Sequence, residues 1–302
     1  MGAGPFVVIG NPHAGRGRAA ETVATVVMTL RVAGVQARGE LTTSIGNATK
    51  LAAEAARDSH VAVAVGGDGL LRAIVAGAAR HNGIVGIIPA GRGNDYARTL
   101  GMPSKVDAGI RVLLESSPRP ADCIAVALGA TKDCLRNHHD VAIGNVYIGF
   151  DSISNVLANN MPVNLGPLTY KFAALHAALT MPQLTFRLMI EGHTYEHVGS
   201  GVAIANSCFY GAGIPLAPSA DLHDGMLDVL MFEQTNRRAR IANMLAMRQG
   251  AHLNRGDVHH LRAKEIQVCV DPPIEAFSDG DLMCRSPLTA HVMPGAIQLL
   301  RP

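Results

Sequence analysis

Acids and glycines recur together in this chain at spacings suited to holding a phosphate and a cation. Two such places lie between His60 and Arg98. In the first, VAVAVGGDGLLRAIVAGAAR, small and β-branched apolar residues run into Gly66, Gly67, Asp68 and Gly69 before helical periodicity starts at Leu70. Residues without Cβ let backbone N–H groups come close to an anion, and the helix that follows directs its positive end at the same point. In the second, GIVGIIPAGRGNDYART, an apolar run ends at Pro89, with Gly91 and Gly93 and then Asn94 and Asp95 where a helix can begin. Acids weaken a helix-end anion site unless a cation is shared. Asp68 and Asp95 therefore point to an anion that brings its own cation, as a nucleotide brings magnesium.

The second half adds two acidic stretches. APSADLHDGMLDV crowds Asp221, Asp224 and Asp228 around an Asp-Gly turn, and FSDGDLM carries Asp279 and Asp281. Clustered carboxylates repel one another, so they either splay into water as an exposed hairpin turn or share a cation. An acid positioned to accept a hydroxyl proton is also what phosphoryl transfer asks of a protein.

The elements that must position these residues change character along the chain. Strands at Phe6–Ile9, Gln36–Thr42, Val61–Val65 and Ile84–Ile88 alternate with helices near Ala20–Val32, Ala48–Arg57, after Gly69 and over Asp107–Ser116. That alternation predicts an α/β N-terminal domain with a doubly wound parallel sheet, whose ligands sit at the strand carboxyl ends. Pro118 and Pro120 break the pattern. From Asp122 onward short alternating runs such as HHDVAIGNVYIGF, LTFRLMIEG and EIQVCV predict an antiparallel β-sandwich, with helical inserts at LGPLTYKFAALHAALTMP and from about Asn236 to Gly250.

GGDG with its helix, then PAGRGNDYAR, resembles the catalytic domain of the diacylglycerol kinases and related lipid kinases, and the resemblance extends over nearly the whole chain. It implies an NAD kinase/phosphofructokinase-like first domain over residues 1–122, completed by a last strand at about 295–302, and a sandwich domain over 123–294 that carries the metal loop and lipid-acceptor site. It also implies ATP and Mg as cofactors and a lipid hydroxyl as acceptor, diacylglycerol by default, giving phosphatidic acid. Nucleotide contacts are implied at Asn11, Pro12, His13, Ala14 and Gly15, at Thr42, at Gly66, Gly67, Asp68, Gly69, Leu70, Leu71 and Arg72, and at Arg92 and Asn94. Magnesium is implied at Asp221, Asp224 and the Met226 backbone, with Asp68, Asp95 and Asp122 reaching it through water. Asp281 and Asp279 are the candidate bases. Leu70, Arg72, Ala73 and Arg92 depart from the family pattern, and Asp281 stands where the family has Glu. A kinase of a non-lipid acceptor, NAD kinase-like, and a catalytically weak nucleotide-binding regulatory module are the alternatives.

Composition sets outer bounds. Of 302 residues 48% are hydrophobic and 17% charged, yet no apolar run reaches the roughly eighteen residues a membrane span needs. A net charge of +2 and the absence of Trp argue against nucleic acid. Cys123, Cys134, Cys208, Cys269 and Cys284 show no metal spacing and read as free thiols, and the N-terminus enters a strand directly; a cytoplasmic location is expected. The paired His138–His139 and His259–His260 read as solvated surface. The basic residues Arg237 to Lys264 suggest a peripheral contact with a membrane surface, and homodimer formation is left open.

Overall fold

Short β-branched runs buried on both faces build three of the four strands of the first sheet, its edge strand Ala37–Leu41 being polar and largely exposed, in the computed structural model, which describes residues 4–12, 17–129, 140–161, 167–233 and 236–302. His13, Ala14, Gly15, Cys134 and the pair His138–His139 lie outside the described residues. Strands β1 (Phe6–Gly10), β2 (Ala37–Leu41), β3 (Val61–Gly66) and β4 (Ile84–Pro89) are parallel in the order β2-β1-β3-β4. Helices α1 (Ala19–Val32), α2 (Ile45–Arg57), α3 (Asp68–Ala78), α4 (Asp95–Thr99) and α5 (Val106–Glu115) connect and cover them. The α/β expectation holds, with helix starts earlier than the periodicity suggested. The Ser44 hydroxyl accepts the Asn47 N–H and so moves the start of α2 back to Ile45.

The second half is antiparallel, as expected. Strands β5 (Arg119–Leu128), β6 (Asp140–Ala142), β7 (Asn145–Gly149), β8 (Leu184–Ile190), β9 (His193–Ala205), β12 (Leu227–Glu233), β13 (Val258–Ala263), β14 (Glu265–Asp271), β15 (Glu275–Ser278), β16 (Asp281–Arg285) and β17 (Leu288–Leu299) pair this way, and β10 (Phe209–Tyr210) with β11 (Ile214–Pro215) forms a separate small hairpin. Strand β8 buries Leu184, Phe186, Leu188 and Ile190 and exposes the residues between them. That period of two aims one face at a core shared with Val202, Val229, Val268 and Leu288. Three helices lie alongside: α6 (Phe150–Asn159), α7 (Pro167–Thr180) and α8 (Arg237–Met247). The run HHDVAIGNVYIGF, expected as one strand, is divided into β6 and β7. Gly149, at φ 124°, then turns the chain into α6, whose helical spacing of Phe150, Ile153 and Leu157 was masked by the strand-like run before it.

The two halves are joined through one strand. β17 runs antiparallel to β5, shifts register between Met293 and Ile297, and then pairs in parallel with β4 at Gln298 and Leu299. Moving one half relative to the other would break that ladder, so the acids of both are held by continuous hydrogen bonding.

Close packing of α2 on α3 sets where the first glycine turn points. A Cβ on Gly77 would lie 2.2 Å from the Thr49 carbonyl oxygen and 2.9 Å from the Ala53 nitrogen, both backbone. Gly77→Ala is expected to destabilise by about 2–3 kcal/mol in denaturant unfolding. Gly46→Ala, whose Cβ meets nothing within 4 Å, is expected to stabilise by about 0.5 kcal/mol.

Candidate active site

Two glycine turns, after β3 and after β4, are packed backbone to backbone. A Cβ on Gly91 would sit 2.4 Å from the Gly67 Cα, and the Ala90 N–H donates to the Gly66 carbonyl at 2.9 Å. Only glycine fits there. Asn94, in the left-handed region at φ 53°, closes the second turn by accepting the Gly91 N–H at 2.9 Å and donating to the Gly91 carbonyl at 3.0 Å. The Asp68 carboxylate crosses from the first turn to accept the Asp95 N–H at 3.1 Å and the Tyr96 N–H at 3.2 Å, the free donors at the start of α4. Backbone amides thus hold and stabilise the Asp68 carboxylate.

The second half supplies the opposite wall. Asp95 Oδ2 accepts the Ala212 N–H at 2.8 Å from the β10–β11 hairpin. Burial pushes the Asp95 carboxyl above its ordinary value, and the nearby charge of Asp68 adds to the rise. Its Oδ1 is buried with no hydrogen-bond partner. The Arg98 guanidinium lies 3.9 Å away and stacks 5.9 Å over the Phe209 ring. Asp279, on the turn between β15 and β16 with φ 51°, is held by the Ser278 hydroxyl at 3.0 Å and by the Gly144 backbone. Burial, with the Asp68 charge adding to it, raises the Asp279 carboxyl to about 7. Asp281 reaches back to α3. Its Oδ2 accepts from Arg72 Nη2 at 3.1 Å and lies 3.2 Å from where a Cβ on Gly69 would be. Asp68, Asp95, Asp279 and Asp281 therefore gather around the two turns.

The acidic loop forms a separate cluster and is satisfied locally. Asp221 accepts the His223 N–H, Asp224 accepts the Met226 N–H and pairs with Arg262, and Asp228 is buried against His260 at 2.6 Å. Arg262 thus brings a positive charge to Asp224, one of the residues at which the resemblance implies magnesium. His259 and His260 are both exposed, as expected, His259 pairing with Glu233 and His260 with the buried Asp228. Asp122, 2% exposed, accepts the Gly225 N–H from this loop at 2.8 Å and the Gly295 N–H from β17 at 2.7 Å.

Other expected contact residues are placed as follows. Leu70 and Leu71 are buried in the core, so only their backbones could face a nucleotide; Thr42 is buried with its N–H on the Gly10 carbonyl. Arg72 faces Asp281 and Met283 across the cleft, and Arg92 is exposed. Asn11 and Pro12, at the end of β1, are partly buried. Sequence reasoning missed the Ala212 amide and the buried Tyr96. The amide is a backbone group with no side-chain signature, and Tyr96 reads in the sequence as ordinary helix core.

Among the described residues no three His, Cys, Asp or Glu side chains converge as a ready-made metal site. Magnesium is usually held by one or two carboxylates with substrate phosphates completing its shell, and the Asp95 carboxylate, whose Oδ1 lacks a hydrogen bond and whose Oδ2 lies beside the bare Gly93 backbone, fits that division.

Two consequences are measurable. Asp122→Asn puts an amide where two N–H groups converge and is expected to cost about 3 kcal/mol in unfolding experiments. Asp279 keeps its proton to about pH 7 when folded and to 3.8 otherwise. Its ionisation therefore disfavours the folded state increasingly from about pH 4 to pH 7 and fully above. Asp279→Asn is expected to melt higher than the parent at pH 8 without divalent cation, the gain vanishing below pH 4.

Residues 5–126 match the family model for the diacylglycerol kinase catalytic domain, and residues 144–301 match that for the YegS C-terminal NAD kinase beta sandwich-like domain. A diacylglycerol kinase of Mycobacterium tuberculosis strain H37Rv is 30% identical over 99% of this chain and 96% of its own. The diacylglycerol kinase of Bacillus subtilis strain 168 is 26% identical over 91% and 88%. In fold, a crystal structure of a diacylglycerol kinase from Bacillus anthracis strain Sterne superposes with a TM-score of 0.73 at 20% identity, covering 99% of this chain and 97% of that one. With both halves matched and a relative of that identity aligned end to end, the chain belongs to the diacylglycerol kinase family of lipid kinases.

Proposed function

We propose that this protein transfers the γ-phosphoryl group of ATP, with magnesium, to the hydroxyl of diacylglycerol, giving phosphatidic acid. The observation that carries this reading is the meeting of paired glycine turns from one half with Asp279 and Asp281 from the other. Backbone N–H groups of Gly66–Gly69 and the N-terminus of α3 are suited to phosphate oxygens, and Asp68 locks the second turn against them. Magnesium, when bound with the nucleotide, supplies neutralisation of the phosphate charge near Asp95.

Of the two candidate bases, Asp279 takes the proton. Its carboxyl, raised to about 7, sits where a general base is both ionised and able to accept, whereas Asp281 is engaged by Arg72. Asp281 then serves to hold the Arg72 guanidinium, 13% exposed, against the cleft. The acceptor hydroxyl gives its proton to an Asp279 oxygen as its own oxygen bonds to phosphorus and ADP leaves.

With labelled ATP, magnesium and a lipid extract, diacylglycerol is expected to be labelled. Turnover should rise with pH to a plateau, half-maximal near pH 7, and Asp279→Asn should lower kcat about a hundredfold or more. Labelling of NAD with no lipid product would replace this reading by a soluble-acceptor kinase, and ATP binding without turnover on either acceptor by a nucleotide-binding module.

A further inference from the structure

Helix α7 is inverted relative to an ordinary surface helix. Its small residues Ala173, Ala177 and Ala178 face the protein, while Leu168, Phe172, Leu175 and Leu179 are 50%, 50%, 42% and 40% exposed. These four are spaced i, i+4, i+7 and i+11, so they form one stripe along the outer face. Exposed Lys171 and His176 flank it. An apolar stripe of this kind on a protein surface marks something that covers it.

Charge says what the cover is. No Asp or Glu occurs between Asp151 and Glu191, a span that includes all of α7, nor between Glu233 and Asp257, which includes all of α8. Helix α8 lies beside α7, with Arg240 Nη1 donating to the Ala178 carbonyl at 3.2 Å. One turn away Arg237 and Arg238 are exposed, and so is Leu245, at 55%. The face is therefore apolar with a purely basic border. A second copy placed on it by a two-fold axis would set like charges against each other. An anionic lipid surface matches both features, because the apolar stripe enters the acyl boundary while the guanidinium and ammonium groups stay among the headgroups.

The face is connected to the reacting groups through packed side chains. Behind α8 a cavity of about 30 Å³ is lined by Phe150, Asp151, Phe232, Met244 and Met247. The Asp151 carboxyl there accepts from the Tyr210 hydroxyl at 3.3 Å, and Tyr210 packs edge-on to Tyr147, which stacks on Phe277 two residues before Asp279. A contiguous row of aromatic rings thus leads from the back of these helices to the proposed base.

We propose that α7, bordered by the basic turn of α8, is the surface by which this protein docks on an anionic bilayer to reach its acceptor. This deepens the lipid-kinase reading and rests on it.

The test compares the parent with Phe172→Glu/Leu175→Glu and with Arg237→Ser/Arg238→Ser. All four side chains are exposed, so thermal melts should match the parent. Co-flotation is measured with phosphatidylcholine vesicles with and without phosphatidylglycerol. Phosphorylation is measured with diacylglycerol in those vesicles and with a short-chain diacylglycerol dispersed as monomers. The glutamate pair is expected to lower vesicle binding about tenfold or more and turnover on vesicle diacylglycerol with it, leaving turnover on the monomeric acceptor unchanged. The serine pair is expected to abolish the preference for phosphatidylglycerol. Unchanged vesicle binding by the glutamate pair, or no vesicle binding by the parent, would overturn the proposal. So would light scattering showing that the glutamate pair splits a dimer, since the occupant would then be a second copy. A parent that floats with vesicles but labels neither acceptor would sink the kinase reading and leave the docking surface standing.

Discussion

Everything in the cleft depends on a single carboxylate in an unusual position. Asp68 stands at the start of α3, where a negative charge is stabilised, yet its oxygens are spent on the first amides of α4. It thereby joins the starts of two helices that follow neighbouring parallel strands, and the bare approach of Gly67 to Gly91 lets it reach. Both helix starts consequently face one place. A side chain on Gly91 would part the turns, and loss of the Asp68 charge would free α4.

Asp122 does for the two halves what Asp68 does for the two turns. Its oxygens bind the amides of Gly225 and Gly295, so one buried acid pins the acidic loop to the strand that returns to the parallel sheet. Asn206 reinforces the joint by donating to the carbonyls of Asp122 and Ile143 at 2.9 and 3.0 Å. Charge-assisted bonds of this sort are directional and short. They explain how acids more than two hundred residues apart in sequence, Asp68 and Asp279, come close enough for one to raise the proton affinity of the other.

Much of this was legible in the sequence because the determinants are local. Glycine at a strand end, β-branched runs buried on both faces and a period of two in β8 need no partner to be read. Pairings between distant segments were not legible. Arg72 was expected at the nucleotide, and nothing near it in sequence announces Asp281; the ion pair exists because α3 and β16 meet across the cleft. His260 is exposed like His259, as expected, but its pairing with buried Asp228 depends on the register of β12 and β13, which nothing near it in sequence announces. Helix α6 was hidden because NVYIGF reads as one strand, and only the positive φ of Gly149 ends it. In the acidic loop, carboxylate repulsion was legible, whereas the approach of Arg262 to Asp224 depends on the β12–β13 pairing.

The central claim is that groups from both halves serve one nucleotide held on the paired glycine turns. Its most direct measurement is a crystal structure with manganese and a non-hydrolysable ATP analogue, the metal located by anomalous scattering. The account predicts phosphate oxygens against the Gly66–Gly69 and Gly91–Gly93 backbones, with one manganese peak between them and the Asp95 carboxylate, in the cleft that the Ala212 hairpin and Asp279 close from the other half. Phosphates bound away from those turns, or a manganese peak that only one half of the chain can reach, would contradict it.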